Sequence, residues 1–231
     1  MPRPVDRYRR EFLALLLAQQ PESVLDVGCG DGALLRALSA RNVPCAGVEH
    51  DAGAAALLVA AGLDARVADA AKLPFANGSF GWVTMQYTAH HLASLPVAIE
   101  ECWRVARRGV MVLEPWYDTS ITSQRVSLAI DRWSKRIDRQ RGMVHNEVLA
   151  AAELLAPLAG EPQVAFEVAH WLVLEPVTAA AVRERIAAQL ATVPPSEALR
   201  REAAALAEHV DRDGASDDGA ICVLARRIAE R

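Results

Sequence analysis

Apolar and polar positions along this 231-residue chain follow two periods in turn, one typical of helices and the other of strands. Residues 5–19 carry apolar side chains on one face at helical spacing, and Pro21 ends that pattern. Short β-branched runs then alternate with helical stretches as far as Pro115. This alternation predicts a parallel sheet covered by helices on both faces. The predicted strands are 24–27, 45–49, 65–69, 81–86 and 109–115, and the predicted helices between them are 33–40, 52–62 and 94–107.

The pattern changes beyond Pro115, where a long helical stretch at 120–141 lies inside a segment, 117–145, that we predict to be an inserted helical cap. No internal repeat or low-complexity linker is visible, so a single domain over residues 1–231 is expected, with 1–20 as an N-terminal helix or lid and 178–212 as extra helices. The other predicted elements are a helix at 145–160, a strand at 163–176, helices at 178–192 and 196–210, a turn cluster at 213–220 and a last strand at 221–228.

Composition narrows the class of protein. A chain with 52% hydrophobic residues can bury a full-sized core, and its net charge of -4 provides no global field toward nucleic acid or an anionic membrane. The four cysteines are scattered without a C-x-x-C pair, which predicts neither a disulfide framework nor a metal site. The apolar run at 12–18 is too short to span a membrane. We therefore expect a cytoplasmic protein with no metal, no nucleic-acid partner and no membrane partner.

Three glycines follow the first predicted strand, in the sequence VLDVGCGDG at 24–32. Gly28 permits a sharp turn, and Gly30 and Gly32 would let a ligand lie against the main chain beside a helix N-terminus, although a purely structural turn also explains them. Two acids favour a ligand-binding role for this turn over a purely structural one. Glu49 ends the second predicted strand, where a carboxylate can accept ribose hydroxyls, and Asp69 ends the third, at the same edge of the sheet.

The spacing indicates which nucleotide is bound. G-x-G-x-G is one residue shorter than the dinucleotide pattern G-x-G-x-x-G, and Asp26 stands two residues ahead of the first glycine. A carboxylate there would repel a pyrophosphate but suits a sulfonium with an amino-acid tail. An NAD-dependent oxidoreductase is therefore disfavoured.

Several stretches together resemble the class I S-adenosylmethionine-dependent methyltransferases, in particular the small-molecule branch typified by ubiquinone-biosynthesis enzymes. The resemblance covers about residues 20–115 and the closing strand. It implies an α/β, Rossmann-like, doubly wound sheet of seven mostly parallel strands with the last strand antiparallel, to which the helical pattern described above adds a cap inserted after strand 5. The stretches that carry it are VLDVGCGDG, GVEHD at 47–51, VADAAKLPFANGSFGWV at 67–83, HHL at 90–92 and EECWRVARRGVMVLEP at 100–115.

The resemblance also implies S-adenosylmethionine as the cofactor. The glycine turn would line its methionine part, Asp26 would meet its amino group directly or through water, and Glu49 would hold its ribose. Asp69 and the Ala70 backbone would meet the adenine, and the Gln86 carbonyl the methionine end. The predicted cofactor-binding residues are Asp26, Gly28, Cys29, Gly30, Gly32, Glu49, His50, Asp69, Ala70 and Gln86.

The acceptor side is open to more than one interpretation. Methyl transfer from a sulfonium is an in-line displacement in which the protein positions the reactants and excludes water, and a base helps when the acceptor is a hydroxyl or a protonated amine. His90 and His91 are the candidate bases, with a structural role as the alternative, above all for His91. The predicted wall of the acceptor pocket, for which core packing is the alternative, comprises Tyr8, Tyr87, Trp116, Tyr117 and His145.

The predicted activity is methyl transfer to a small-molecule acceptor, and the rival hypothesis is a non-catalytic regulatory protein that binds the cofactor. Six cations against two anions at 120–141 suggest an anionic acceptor, whereas a solvated helix face explains them equally. The sequence leaves open the acceptor, its reacting atom, and the choice between a monomer and a homodimer.

Overall fold

The computed structural model describes residues 4–194 and 196–228. Its strands are β1 (Val24–Val27), β2 (Cys45–Glu49), β3 (Ala65–Val67), β4 (Phe80–Gln86), β5 (Ala106–Trp116), β6 (Val164–Trp171), β7 (Pro176–Val177), β8 (Ala215–Ser216) and β9 (Gly219–Arg227). Its helices are α1 (Pro4–Ala18), α2 (Ala33–Ser39), α3 (Ala52–Ala60), α4 (Leu95–Val105), α5 (Thr122–Gln140), α6 (Ala151–Leu155), α7 (Ala179–Leu190) and α8 (Glu197–Asp213).

Seven strands form one sheet in the order β3-β2-β1-β4-β5-β9-β6. Strands β1 to β5 pair in parallel, whereas β9 is antiparallel to both of its neighbours, β5 and β6. The expectation of a mostly parallel seven-stranded sheet whose last strand is antiparallel is confirmed. Because chain order reverses direction across the sheet at β1, the carboxyl ends of β1 and β4 flank a crevice of the kind that binds ligands in α/β proteins.

The sheet is covered on both faces because consecutive strand residues point to opposite sides. Val24 and Trp82 pack with Phe12 and Leu16 of α1 on one face, together with residues of α2. The next residues along the same strands, such as Leu25, pack with α4 and α6 on the other face. Helices α5, α7 and α8 form a separate apolar cluster of their own. No helix in the described ranges, 4–194 and 196–228, is long and apolar enough to cross a membrane.

The largest departure from the predicted elements lies at 145–160. A helix was expected over that whole range, but α6 covers only Ala151–Leu155, followed by one 3-10 turn at Ala156–Leu158. The Asn146 backbone amide donates to the His90 carbonyl at 2.7 Å, and its side-chain amide donates to the Leu92 carbonyl at 2.8 Å. These tertiary hydrogen bonds hold residues 142–150 as a loop, which the local helical pattern could not reveal.

Two smaller corrections concern the second half of the chain. The strand predicted at 163–176 ends at Trp171, and Pro176–Val177 instead pairs with Ala215–Ser216, inside the predicted turn cluster. This two-stranded pairing joins segments almost 40 residues apart, so local sequence gives little signal for it. Position 195, which falls between the two last predicted helices, lies outside the described residues.

Candidate active site

A cavity of about 790 Å³ opens at the carboxyl edge of the parallel strands, where residues that follow β1 to β4 converge. Its size is in the range of small-molecule sites. The strands end at this edge together, so groups far apart in sequence share one space. The lining residues are Arg9, Asp26, Val27, Gly28, Cys29, Gly30, Asp31, Ala33, Leu34, Val48, Glu49, His50, Ala68, Asp69, Ala70, Gln86, Tyr87, Thr88, His91, Leu92, Ala93 and Val144.

Each of the three glycines of the turn is required for a different structural reason. All have positive φ, and a Cβ on Gly28 would lie 2.4 Å from the Thr88 side chain. A Cβ on Gly30 would meet only the Gly28 carbonyl, at 3.9 Å, so this residue leaves bare main chain beside the cavity. Gly32 packs against Leu58, which a Cβ would approach to 2.6 Å, and does not line the cavity. The structure therefore places Gly28 and Gly30, but not Gly32, where a ligand could reach them.

Glu49 is tied to the turn from the neighbouring strand. Its Oε2 accepts from the Gly30 amide at 2.9 Å, and its Oε1 accepts from the His50 and Asp51 amides at 2.8 and 3.2 Å. These three bonds fix the direction of the carboxylate at the end of β2 and leave about one lone-pair site, on Oε2, for a further donor. A ribose hydroxyl would find a pre-oriented acceptor there.

Asp26 is a buried acid in the wall of the cavity, with 3% of its surface exposed. The hydroxyl of Thr84 donates to its Oδ1 at 2.9 Å. Burial raises the pKa of Asp26 from 3.8 to about 7, although Thr84 and the positive charge of Arg9 act in the opposite direction. A cationic group in the cavity would stabilise the ionised carboxylate.

Asp69 lies at the far end of the same lining, after β3. Its Oδ1 accepts from the Ala71 amide at 2.9 Å, and it forms an isolated backbone bridge with Lys72. Cys29 also lines the cavity, and burial together with the neighbouring Asp26 raises the pKa of its thiol to about 12. The Cys29 thiol is therefore neutral and unreactive near pH 7.

The turn after β4 carries the two predicted histidine bases. His91 lines the cavity, whereas His90 is buried behind it and its Nδ1 is hydrogen-bonded to Glu114 Oε2. Glu114 is fully buried at the end of β5, and its Oε1 also accepts from the Thr88 and Ala89 amides, each at 2.9 Å. Glu114 thus holds the whole turn in place.

His145 joins this turn from the loop at 142–150. Its Nδ1 lies 2.8 Å from Asp138 Oδ2, and the ring centroids of His145 and His91 are 4.5 Å apart. The Nδ1 of His91 lies 3.1 Å from the Val144 carbonyl oxygen. Burial lowers the pKa of both His91 and His145. His145 contacts the histidine turn but does not itself line the cavity.

Three aromatic residues predicted for the pocket wall lie elsewhere. Tyr8 is 1% exposed in the core, where its hydroxyl donates to the Asp218 carbonyl and accepts from the Val173 amide. The ring centroids of Trp116 and His170 are 4.6 Å apart. Tyr117 does not line the cavity either, and its burial elsewhere raises the pKa of its hydroxyl. Their apolar bodies fill gaps between elements.

Tyr87 does line the cavity. Its φ is 54°, which is uncommon for a residue with a side chain, and its buried hydroxyl has no hydrogen-bond partner among the described residues. Such a conformation is retained at functional sites when the surroundings hold it.

The cap segment, 117–145, contributes only Val144 to the lining among the residues described. Helix α5 packs against α7 and α8 instead of covering the cavity. Its basic side chains bond to carboxylates or carbonyl oxygens outside the cavity; they are Arg125, Arg132, Lys135, Arg136, Arg139 and Arg141. The cap therefore does not supply the basic lining that an anionic acceptor would require.

Some site residues were missing from the sequence-based set. Arg9 lines the cavity from α1, at 5.7 Å from the Tyr87 ring centroid, and Thr88 packs against Gly28. Glu114 and Asp138 support the histidines from β5 and α5. An acid near the end of strand 5 was the available signal for Glu114, because Asp26, Glu49 and Asp69 stand at or near the ends of the first three strands.

The profile of the methyltransferase domain family matches residues 25–113. This match spans the glycine turn, Glu49, Asp69 and the histidine turn, which are the features that surround the cavity. Over residues 25–113 the chain is therefore similar to the methyltransferase domain family that its sequence resembles. This match agrees with the methyltransferase resemblance noted in the sequence.

Known proteins extend the comparison. The chain is 33% identical over 118 residues to demethylmenaquinone methyltransferase of Thermus thermophilus, covering 47% of this chain and 54% of that protein, so it spans about half the length of this curated relative. The YcgJ protein of Bacillus subtilis superposes with a TM-score of 0.62 at 18% identity, over 96% of this chain and 100% of that one. A geranyl diphosphate methyltransferase in complex with S-adenosylmethionine superposes with a TM-score of 0.52 at 16% identity, over 90% and 78% of the two chains. At these identities, the two structures establish the fold.

Proposed function

We propose that the protein transfers a methyl group from S-adenosylmethionine to a small-molecule acceptor by in-line displacement. The observation that carries this proposal is the meeting of three acids, one from each of β1, β2 and the segment after β3, with a bare glycine turn around one cavity. When bound, the sulfonium supplies an already activated methyl group. The protein's own contribution is then to bind, orient and exclude water.

The order of the strands suggests how the donor would lie. Asp69 and Ala70 lie by β3 at one end of the lining and would meet the adenine, and Glu49 on β2 would accept from the ribose hydroxyls. Gly30 would let the methionine part approach the main chain. The carbonyl of Gln86, at the end of β4, would meet the amino-acid end.

Asp26 and Arg9 together fit an amino-acid tail. Asp26 is buried with a pKa held near 7, and the charge of Arg9 lowers that pKa, so the two side chains bring opposite charges to the same part of the cavity. We propose that Asp26 accepts from the α-ammonium group and that Arg9 pairs with the α-carboxylate. A zwitterion satisfies both, whereas a pyrophosphate would be repelled by Asp26.

The acceptor would enter beyond β4, against His91, Leu92 and Val144. An imidazole there can orient a hydroxyl or an amine, and the apolar neighbours exclude water. That His90 or His91 acts as a general base stays a prediction. An anionic acceptor would depend on Arg9 and not on the cap, because Arg9 is the arginine in the lining. The four free cysteines suit a reducing cytoplasm, which we propose as the location.

Two measurements test this function. Calorimetry is expected to show binding of S-adenosylhomocysteine and none of NAD, and the opposite order would refute the cofactor assignment. Incubation with a donor labelled at the methyl group and a small-molecule extract is expected to give a labelled product of low molecular weight. Pure small molecules are then tested as acceptors, among them a demethylated menaquinone, because the name of the Thermus relative specifies that substrate. Cofactor binding without any labelled product would favour the non-catalytic alternative.

A further inference from the structure

We propose that His90, His91 and His145 form a binding site for a divalent first-row transition ion such as Zn²⁺, with one coordination position open to the cavity. One nitrogen of each of the three rings lies within 4.8 Å of the other two. The residues come from the turn after β4 and from the loop at 142–150, so folding brings them together.

The hydrogen bonds of the three rings favour metal binding. Each Nδ1 faces an oxygen that can only accept: a Glu114 carboxylate oxygen for His90, the Val144 carbonyl for His91 and an Asp138 carboxylate oxygen for His145. In the neutral imidazole the proton is then on Nδ1, and the lone pair is on Nε2. Within the described part of the chain, no protein group forms a hydrogen bond to any of the three Nε2 atoms. Metal-binding histidines usually have this arrangement, in which a carboxylate or carbonyl fixes the other ring nitrogen.

The geometry requires modest adjustment. Nitrogens bound to one Zn²⁺ at about 2.0–2.1 Å stand about 3.4 Å apart in a tetrahedron, so ring nitrogens that lie within 4.8 Å of one another must approach by up to about 1.4 Å. The loop is already held on the histidine turn by the two Asn146 hydrogen bonds to His90 and Leu92. The His90 and His91 ring centroids are 4.2 Å apart, and those of His90 and His145 are 5.2 Å apart. Binding therefore requires rotation of side chains on an existing framework.

Charge around the cluster also suits a divalent cation. Glu114 and Asp138 place two carboxylates directly behind the ligand rings. Burial is the main cause of the lowered pKa of His91 and His145, and the nearby cation Lys135 adds a little to it; the Nζ of Lys135 lies 2.9 Å from an Asp131 carboxylate oxygen. The Nη1 of Arg141 lies 3.6 Å from Oδ1 of Asp138, whereas His145 Nδ1 contacts Oδ2. Asp131 balances Lys135 and Arg141 offsets part of the charge of Asp138, so Glu114 and the His145-facing oxygen of Asp138 provide the negative charge nearest the ion.

The position of the cluster indicates a role beside the acceptor. His91 alone of the three lines the cavity, so the side of the ion not covered by imidazole would face it. Three protein ligands and one open position are typical of catalytic zinc sites, whereas structural sites use four protein ligands. Such an ion would take an acceptor oxygen or water in the open position and would favour its deprotonated form.

The test uses the full chain freed of metal by a chelator. Titration with Co²⁺ is expected to give visible d–d absorption that saturates at one equivalent per chain, and Zn²⁺ is expected to displace it. His91→Ala and His145→Ala are expected to weaken Co²⁺ binding at least tenfold, and Asp138→Asn by about 10- to 100-fold. His209→Ala, an exposed histidine on α8, is the matched control and is expected to bind like the parent. Azide is expected to shift the cobalt spectrum by entering the open position.

Binding that does not saturate at one equivalent would overturn the proposal, as would binding that His91→Ala and His145→Ala leave unchanged. An unaltered spectrum with azide would refute the open position. His91 is exposed, and circular dichroism checks that its variant is folded. Metal binding is measured without the methyl donor, so its failure and a failure to bind S-adenosylhomocysteine are separate results.

Discussion

Replacing Asp26 by asparagine is expected to stabilise the free protein at neutral and alkaline pH and to weaken cofactor binding. Asp26 is almost fully buried, and burial raises its pKa from 3.8 to about 7. The folded state therefore holds a proton that the unfolded chain has already lost between about pH 4 and pH 7. A raised pKa of an acid contributes stability at low pH that is lost as the pH rises through the folded value.

The magnitude follows from the two pKa values. At about 1.4 kcal/mol for each tenfold change in an equilibrium constant, a rise from 3.8 to about 7 corresponds to about 4 kcal/mol. Arg9 lowers this pKa, and the nearby Asp31 and Glu49 raise it, so the figure is an order of magnitude for the whole environment. The asparagine side chain of the variant would not titrate. The advantage of Asp26→Asn is therefore expected to grow from about pH 4 to about pH 7 and then to stay constant.

Urea denaturation of the free protein at pH 5 and pH 8 measures this effect. Asp64→Asn is the control, because Asp64 is exposed and only 3.6 Å from the exposed Arg66, a pair worth little. Calorimetry on the same variant is expected to show S-adenosylhomocysteine binding weakened by about 1.5–3 kcal/mol, the usual value of a hydrogen bond to a charged group. In the parent protein, affinity is expected to rise with pH up to about pH 7, since the ionised form of Asp26 binds the ammonium group.

Asp26→Asn is thus expected to raise stability at pH 8 while it weakens cofactor binding, and a structural role for Asp26 would not give both results. A purely structural Asp26 would give a variant that is less stable at pH 8, with cofactor affinity changed only through folding. Equal stability of Asp26→Asn and the parent at both pH values would refute the raised pKa. Unchanged affinity would refute the ammonium contact.

Three further substitutions test other parts of the structure. Glu49→Ala is expected to weaken S-adenosylhomocysteine binding by about 1–3 kcal/mol in calorimetry, because ribose hydroxyls lose a charged acceptor. Gly28→Ala is expected to lower the thermal midpoint, because its Cβ would lie 2.4 Å from the Thr88 side chain, and Thr88→Ala is expected to restore part of the loss. Asp131→Ala is expected to cost about 3–5 kcal/mol in urea denaturation by leaving the buried Lys135 unpaired, and adding Lys135→Met is expected to recover most of it.

A specific result would contradict each of these three predictions. If Glu49→Ala binds the cofactor as the parent does, the ribose has been misplaced. A double variant of Gly28 and Thr88 that is no more stable than Gly28→Ala alone would show that positive φ, and not the contact, requires the glycine. If the double variant of Asp131→Ala and Lys135→Met is clearly less stable than the parent, the ion pair contributes net stability instead of only neutralising a buried charge.

The sequence by itself predicted the parallel sheet and half of the residues that line the cavity. Residues 24–27 and 45–49 were correctly predicted as strands because they are short, apolar and followed by turn residues or a helix start. Parallel strands end at one edge, so the acids at or near the ends of successive strands are expected from the sequence to meet there. That is why Asp26, Glu49 and Asp69 line a single cavity.

Only the tertiary structure decided what depends on contacts between distant segments. The loop at 142–150 is held by hydrogen bonds from Asn146 to the histidine turn, against its own helical pattern. The same contacts bring His145 to His90 and His91, more than 50 residues earlier in the chain, and place Glu114 and Asp138 behind them. Periodicity reports which face of an element is buried, but not which remote side chain lies opposite it, and the proposed metal site consists of such meetings.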